Sequence, residues 1–193
     1  MSKKDLLTKP FRVTFASLTE ATSYQNQGTA KYSIRALIDK NDKQFVDQLT
    51  NFVNEVVAES DLPKTTKDKI LRQALKNPDS ELLLLKDGDL KTDYLGHEGH
   101  YFMNLKRHHK LGPVPCYYPS TDPIPMSMID SEIYSGCWVR VSISATIWEK
   151  PKPLISLTLL ELQKVKDDAP FVRSNFDSIE VDESEDSEDD VEI

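Results

Sequence analysis

Hydrophobic and polar residues alternate with a period of two along several stretches of this chain. Phe11, Val13 and Phe15 alternate with Arg12 and Thr14, so residues 10–17 predict a strand. A polar, glycine-containing stretch from Thr19 to Thr29 separates it from a second strand over 30–38. There Tyr32, Ile34, Ala36 and Ile38 share one face, and Lys31, Ser33 and Arg35 the other. The strongest β pattern covers 137–148: Val139, Val141, Ile143, Ala145 and Ile147 point one way, and Trp138, Arg140, Ser142, Ser144, Thr146 and Trp148 the other. Further strands are predicted over 99–107 and, after the turn at 150–153, over 154–165. Residues 114–118 are hemmed in by Pro113, Pro115 and Pro119, which suits only an irregular edge strand.

Between the second strand and residue 76 the period changes to 3.6. Phe45, Val46, Leu49, Phe52, Val53, Val56 and Val57 form one stripe of a helix of roughly four turns, with Asn41 and Gln44 in capping-box spacing. Pro63 interrupts. Ile70, Leu71, Ala74 and Leu75 then suggest a second short helix ending before Asn77 and Pro78. Stripes of this kind cover a sheet and need no functional explanation. Five or so antiparallel strands with a helical insertion at about 42–76 predict a mainly β fold, a small closed barrel rather than a doubly wound sheet.

Charge divides the chain. Residues 177–193 carry ten acidic side chains and no Lys or Arg. The whole chain has 24 basic and 32 acidic residues; without this tail it has 24 against 22, so 1–176 is close to +2. A like-charge block with so little apolar mass is expected to be disordered. The organisation predicted is one domain over 1–176 and an acidic tail over 177–193 that either aids solubility, competes with phosphates for the basic surface, or docks on basic partners. The charged start Met1-Ser-Lys-Lys-Asp5 and the absence of a long apolar run fit a cytoplasmic protein with reduced thiols at Cys116 and Cys137.

Catalytic signatures are scarce: the sequence has no GxGxxG, GxxxxGK[ST], GxSxG or HExxH. Asp87, Asp89 and Asp93 could hold Mg²⁺, but a DGD cluster more often makes a solvated turn. His97 and His100 with Cys116 and Cys137 match no standard zinc spacing. No metal or cofactor is therefore expected. Cys137 falls with Val139 and Val141 on the core face of its strand. Cys116 lies in a proline-rich segment and is expected to tolerate substitution.

A basic and aromatic window is more telling. Between Gly99 and Thr121 there is no Asp or Glu, while Lys106, Arg107 and Lys110 supply charge. Tyr101, Phe102, Tyr117 and Tyr118 supply flat rings. Cations along phosphates and rings on which bases stack are what single-stranded nucleic acid requires. With Tyr101, Met103 and Leu105 facing the core, Phe102, Asn104 and Lys106 face outward; Trp138 and Arg140 share the outer face of the long strand, and Arg35 that of the second. The candidate DNA-binding set is Arg35, Phe102, Lys106, Arg107, Tyr117, Trp138 and Arg140. Trp148 and Tyr118 fit packing beneath the helices at least as well.

The chain resembles phage-encoded single-stranded DNA-binding proteins built on an OB-fold. The resemblance is carried by residues 28–40, 99–106, 132–143 and 159–171, in that order, ahead of the acidic tail. It implies a barrel that binds ssDNA without sequence preference in phage replication or recombination, in the cytoplasm of an infected bacterial host. It also implies a tail whose densest stretch, Asp182, Glu183, Glu185, Asp186, Glu188, Asp189 and Asp190, contacts replication or recombination proteins. Residues 61–98 are longer and more polar than that pattern requires. The tail ends in Val191-Glu-Ile193, without a terminal aromatic. Two other functions compete with this non-enzymatic one: a metal-dependent nuclease using Asp87, Asp89 and His97, and an interaction module whose tail mimics DNA.

Overall fold

The computed structural model describes residues 4–23 and 28–171; the acidic tail lies outside the described residues. The strands are β1 (Lys4–Leu7), β2 (Phe11–Thr22), β3 (Lys31–Asp39), β4 (Lys86–Asp87), β5 (His100–His108), β6 (Cys116–Tyr117), β7 (Trp138–Trp148) and β8 (Leu154–Lys166). The helices are α1 (Lys43–Ala58), α2 (Lys64–Leu71), which continues into a π-helical turn (Arg72–Lys76), and α3 (Ile129–Glu132).

Five strands close on themselves in the order β2, β3, β5, β8, β7 and back to β2. β3 pairs antiparallel with β5 over nine positions, from Lys31 opposite His108 to Asp39 opposite His100. β7 and β8 form the longest ladder, from Trp138 opposite Lys166 to Trp148 opposite Leu154. β2 meets β7 at Phe11 opposite Val139. The β5–β8 seam is parallel and has a single register pair, Lys106 with Thr158. This is the strand order and the one parallel pairing of an OB barrel, the mainly β architecture expected. β1 prolongs the sheet along β7, and β6 lies beside β8.

The core follows from alternation. Val13, Ile34, Ala36, Met103, Leu105, Val139, Val141, Ile143 and Leu159 point inward and are essentially inaccessible. The α1 stripe from Phe45 to Val57 closes over the sheet, with the Phe45 ring edge-on to Phe11 at 6.1 Å. Asp42, not Asn41, caps α1: its Oδ1 accepts from the Phe45 N–H at 3.0 Å. Gln48 then ties α1 to the β1–β2 turn through Lys9 N and Leu7 O.

β2 departs from its pattern. Thr14 opposes Arg35 while Ser17 opposes Ser33, so three steps on β2 face two on β3. Phe15 sits in this bulge with φ 49°. Simple alternation would put it beside Phe11 and Val13; the extra residue turns its ring outward instead.

Both cysteines are free and buried. Cys137 belongs to the core, as its strand position predicts. Cys116 is just as inaccessible, at 3% exposure, which corrects the expectation of a tolerant site. Burial pushes the two thiols up, to about 12 for Cys116 and about 11 for Cys137.

Beyond β8 the chain doubles back as residues 167–171. Lys164, buried at the barrel end, holds Glu132 at 2.7 Å and Asp167 at 2.8 Å. Arg12 Nη2 donates to Ala169 O, and the Arg12 guanidinium lies 4.1 Å from the Phe171 ring centre. A Cβ on Gly96 would meet that ring at 2.6 Å, so this short run of chain presses on the segment that covers β5.

Candidate nucleic-acid interface

The outer face of β3 and β5 carries the residues that alternation excludes from the core. Lys31 and Ser33 stand beside His108 and Lys106, and Arg35 beside Asn104. Two adjoining hollows meet there, sharing Lys31, Asn104 and Lys106 in their walls. One runs toward Phe15, Ser33 and Arg35. The other passes Lys86 and His108 and reaches Trp148, Leu154 and Ser156 on the β7–β8 hairpin. They measure about 500 and 530 Å³, within the range of small-molecule sites. Together they form one groove across the barrel.

Lys31, Lys86 and Lys106 extend into this groove, and among the described residues no hydrogen bond or ion pair engages their ammonium groups. Three cations without an ion-pair partner among the described residues, against the one carboxylate of Glu81 in the same walls, attract a polyanion. Desolvation, together with the charges of His109, Lys110 and Lys31, holds His108 below the ordinary imidazole range. Flat rings stand at both ends. Phe15 is 49% exposed and Trp148 50% exposed, the latter with Nε1 donating to Ser156 Oγ at 2.9 Å.

Arg35 sits at the inner end. Its Nε donates to Asn104 Oδ1 at 2.9 Å, and Nη1 lies 3.2 Å from His97 Nε2. Its guanidinium lies 4.8 Å from the Phe15 ring, 4.8 Å from Phe102 and 5.5 Å from Tyr94. His97 is wholly buried, and Nδ1 lies 3.1 Å from Leu95 O. The tautomer assigned from these partners is neutral, with Nδ1–H donating to Leu95 O and Nε2 accepting from Arg35. Burial, aided by the charge of Arg35, depresses the affinity of this imidazole for a proton.

The seven residues singled out in the sequence do not converge. Arg35 and Lys106 line the groove. Phe102 faces outward as its register requires, but is only 3% exposed, because residues 91–98 fold back over it and set His97 5.7 Å from its ring. It offers no open face to a base. Arg107 is also corrected: its guanidinium donates to the carbonyls of Leu111 at 2.7 Å, Gly112 at 2.9 Å and Leu160 at 3.0 Å. It staples β5 to β8 and is not poised for a phosphate. Tyr117 and Arg140 share a separate hollow with Leu7, Ser142 and Gln163, which has no wall in common with the groove. Trp138 is half-buried, its Nε1 donating to Asp168 Oδ2 at 2.7 Å; it anchors residues 167–171. The seven tail positions lie outside the described residues.

Phe15, Tyr94 and Trp148 were not in that set. Alternation assigns Phe15 to the apolar row, Tyr94 lies in the polar stretch, and Trp148 fits packing beneath the helices in the sequence but is half exposed in the structure. Asp87 and Asp89 are drawn together by Lys40, whose Nζ lies 2.5 Å from each, so an ammonium already occupies the place of a cation between them.

An OB barrel with cations and exposed rings along its β3–β5 face belongs to the class of barrels that accommodate extended chains in a surface groove. Within that class, the chain belongs to the family described as Enterobacter phage Enc34, ssDNA-binding protein, which matches residues 4–192. The structure is similar to the single-stranded DNA-binding protein from bacteriophage Enc34 in complex with ssDNA, with 25% identity and a TM-score of 0.64 over 87% of this chain and 89% of that one. It also shares its fold with gp2.5 of bacteriophage T7, at 13% identity and a TM-score of 0.51, over 100% and 99% of the two chains. In sequence it is 25% identical to a putative protein p50 of Acyrthosiphon pisum secondary endosymbiont phage 1 over 169 residues, 88% of this chain and 87% of that protein.

Proposed function

We propose that this protein binds single-stranded DNA along the β3–β5 groove without sequence preference, coating and protecting strands exposed during phage replication or recombination. The observation that carries this reading is the groove itself: Lys31, Lys86 and Lys106, without an ion-pair partner among the described residues, stand between the exposed rings of Phe15 and Trp148, on a barrel similar to one solved with ssDNA. Lysines neutralise phosphates and release their counterions; rings accept any base. The protein acts by binding, not by catalysis, in the cytoplasm of the infected host cell. Among the described residues no helix is long and apolar enough to cross a membrane.

The acidic tail is assigned two uses, competition with DNA for the groove and docking on replication or recombination proteins through Asp182, Glu183, Glu185, Asp186, Glu188, Asp189 and Asp190. Residues 167–171 support the first, because they carry the chain to Gly96, beside the segment that bears Tyr94.

A salt titration of fluorescent oligo-dT binding, full length against residues 1–176, tests the reading. Binding should be tight and should weaken as salt rises, with a log–log slope of about 0.7 per phosphate contacted. A truncated body that ignores oligonucleotides at every salt concentration would refute it. Loss of the oligonucleotide itself with Mg²⁺, prevented by EDTA, would identify a nuclease.

A further inference from the structure

We propose that Phe15, in the groove wall, and Tyr94, which meets it from the neighbouring hollow beside Gly88 and Gly99, form a stacking subsite for one unpaired base at the groove's inner end, and that Arg35 and His97 are positioning residues that hold it. This rests on the ssDNA reading of the groove. Phe15 and Tyr94 are 49% and 43% exposed, and their rings meet edge to face at 5.3 Å. Two large rings so close together and so open to solvent do little for the core.

The backbone is strained to present one of them. Phe15 holds a left-handed φ of 49°, a conformation that aromatic residues rarely adopt and that clusters at functional sites. Ordinary β geometry would have sunk this ring into the barrel. The bulge lifts it out, into the hollow that Lys31 and Lys106 also line. A strand whose phosphates follow those lysines has a flat surface beside it at this point.

Arg35 is the keystone of the arrangement. Asn104 and His97 engage two of its three nitrogens, and its planar group is wedged among Phe15, Tyr94 and Phe102. It supports the two exposed rings from behind. The titratable or charged groups facing His97 are Arg35 on β3, His100 on β5, and Tyr94 of its own segment; Phe15 of β2 and Phe102 of β5 pack against it without titrating. Protonating His97 would set an imidazolium 3.2 Å from a guanidinium and push the platform apart.

The test uses the full-length protein and oligo-dT. Phe15→Ala and Tyr94→Ala should each weaken binding roughly 5- to 150-fold, the worth of one stacked base, with the wild-type salt slope. Phe15→Tyr should restore affinity, and the double variant should lose less than the product of the two single losses. Arg35→Lys keeps the charge and removes the plane. It should mimic Phe15→Ala; near-normal binding by Arg35→Lys would make Arg35 an ordinary phosphate contact and overturn its positioning role. As pH falls below 6.5 wild-type affinity should decline relative to His97→Gln, and profiles that stay parallel down to the pH at which the protein unfolds would remove His97 from the account. Wild-type affinity in Phe15→Ala and Tyr94→Ala, alongside loss in Lys106→Ala, would sink the subsite and leave the groove standing. A wild-type protein that ignores ssDNA would bring down the groove as well.

Discussion

Lys106 and Arg107 are adjacent in sequence and opposite in role. Lys106 is exposed in the groove; Arg107 donates to Leu159 O and Leu160 O across the β5–β8 seam and to Leu111 O and Gly112 O just beyond its own strand. Lys106→Ala should therefore lower the salt slope of ssDNA binding by about 0.7 and leave thermal stability unchanged. Arg107→Ala should do the reverse. It strips donors from half-buried carbonyls, at a cost of about 1–3 kcal/mol, visible as a lower denaturant midpoint with the binding slope retained. His97 adds a pH dependence to stability. Its folded-state pKa lies below the unfolded value of about 6.5. The unfolded chain therefore takes up the proton first, so stability is complete above about pH 6.5 and erodes as pH falls below it. Melting curves from pH 7.5 to 5 should show this decline, and His97→Gln should reduce it. Cys137→Ser should cost roughly 1–3 kcal/mol, since its hydroxyl would enter the apolar core; Cys116→Ser should cost less, because Val114 O, 3.3 Å from the thiol, can accept from the new hydroxyl, and equal losses in the two melting curves would contradict that difference.

At the scale of elements, periodicity carried most of the fold and part of the site. β3, β5, β7, β8 and α1 lie where their patterns put them, because each has one buried face, and a wrong register would expose the whole of it. β1 escaped notice because Lys4-Asp-Leu-Leu7 has no alternation. α3 escaped because four residues are too few for a helical stripe. The bulge at Phe15 was illegible for a physical reason: one inserted residue reverses a side chain without changing composition. Arg140 and Trp138 show a second limit. Alternation says that a side chain points away from the core, but around a closed barrel outward covers every direction, so Arg140 emerges in a different hollow from Lys106. Phe102 shows a third. The extra length and polarity of residues 61–98 were visible in the sequence, but not that residues 91–98 would cover a ring. That cover is itself clamped, since Gly96 has φ +76° and lies under Phe171. Gly96→Val should cost about 1–3 kcal/mol through backbone strain, with the clash against the Phe171 ring in addition. Phe171→Ala combined with Gly96→Val should recover the part due to the clash, which a double-mutant cycle in denaturant would measure.

Over the whole molecule, charge separates into a near-neutral body and a tail, residues 177–193, that carries ten acidic side chains. A short flexible tether would give that tail an effective concentration in the millimolar range at the groove. Deleting residues 177–193 should tighten ssDNA binding, most strongly at low salt where screening is weakest. Equal or weaker binding by the truncated form at low ionic strength would remove competition with DNA from the tail's uses and leave only docking.

The thin β5–β8 seam has a consequence for motion. Lys106 and Thr158 are its one register pair, and both also line the groove. The ladders on either side of the seam, β3–β5 and β7–β8, are long and antiparallel, so a local opening at this seam runs beneath the place where ligand would lie. The amide protons along this line should exchange with solvent sooner than those in the middle of β7. A bound strand spanning both sides of the seam would act as a splint, slowing exchange there without touching those amides.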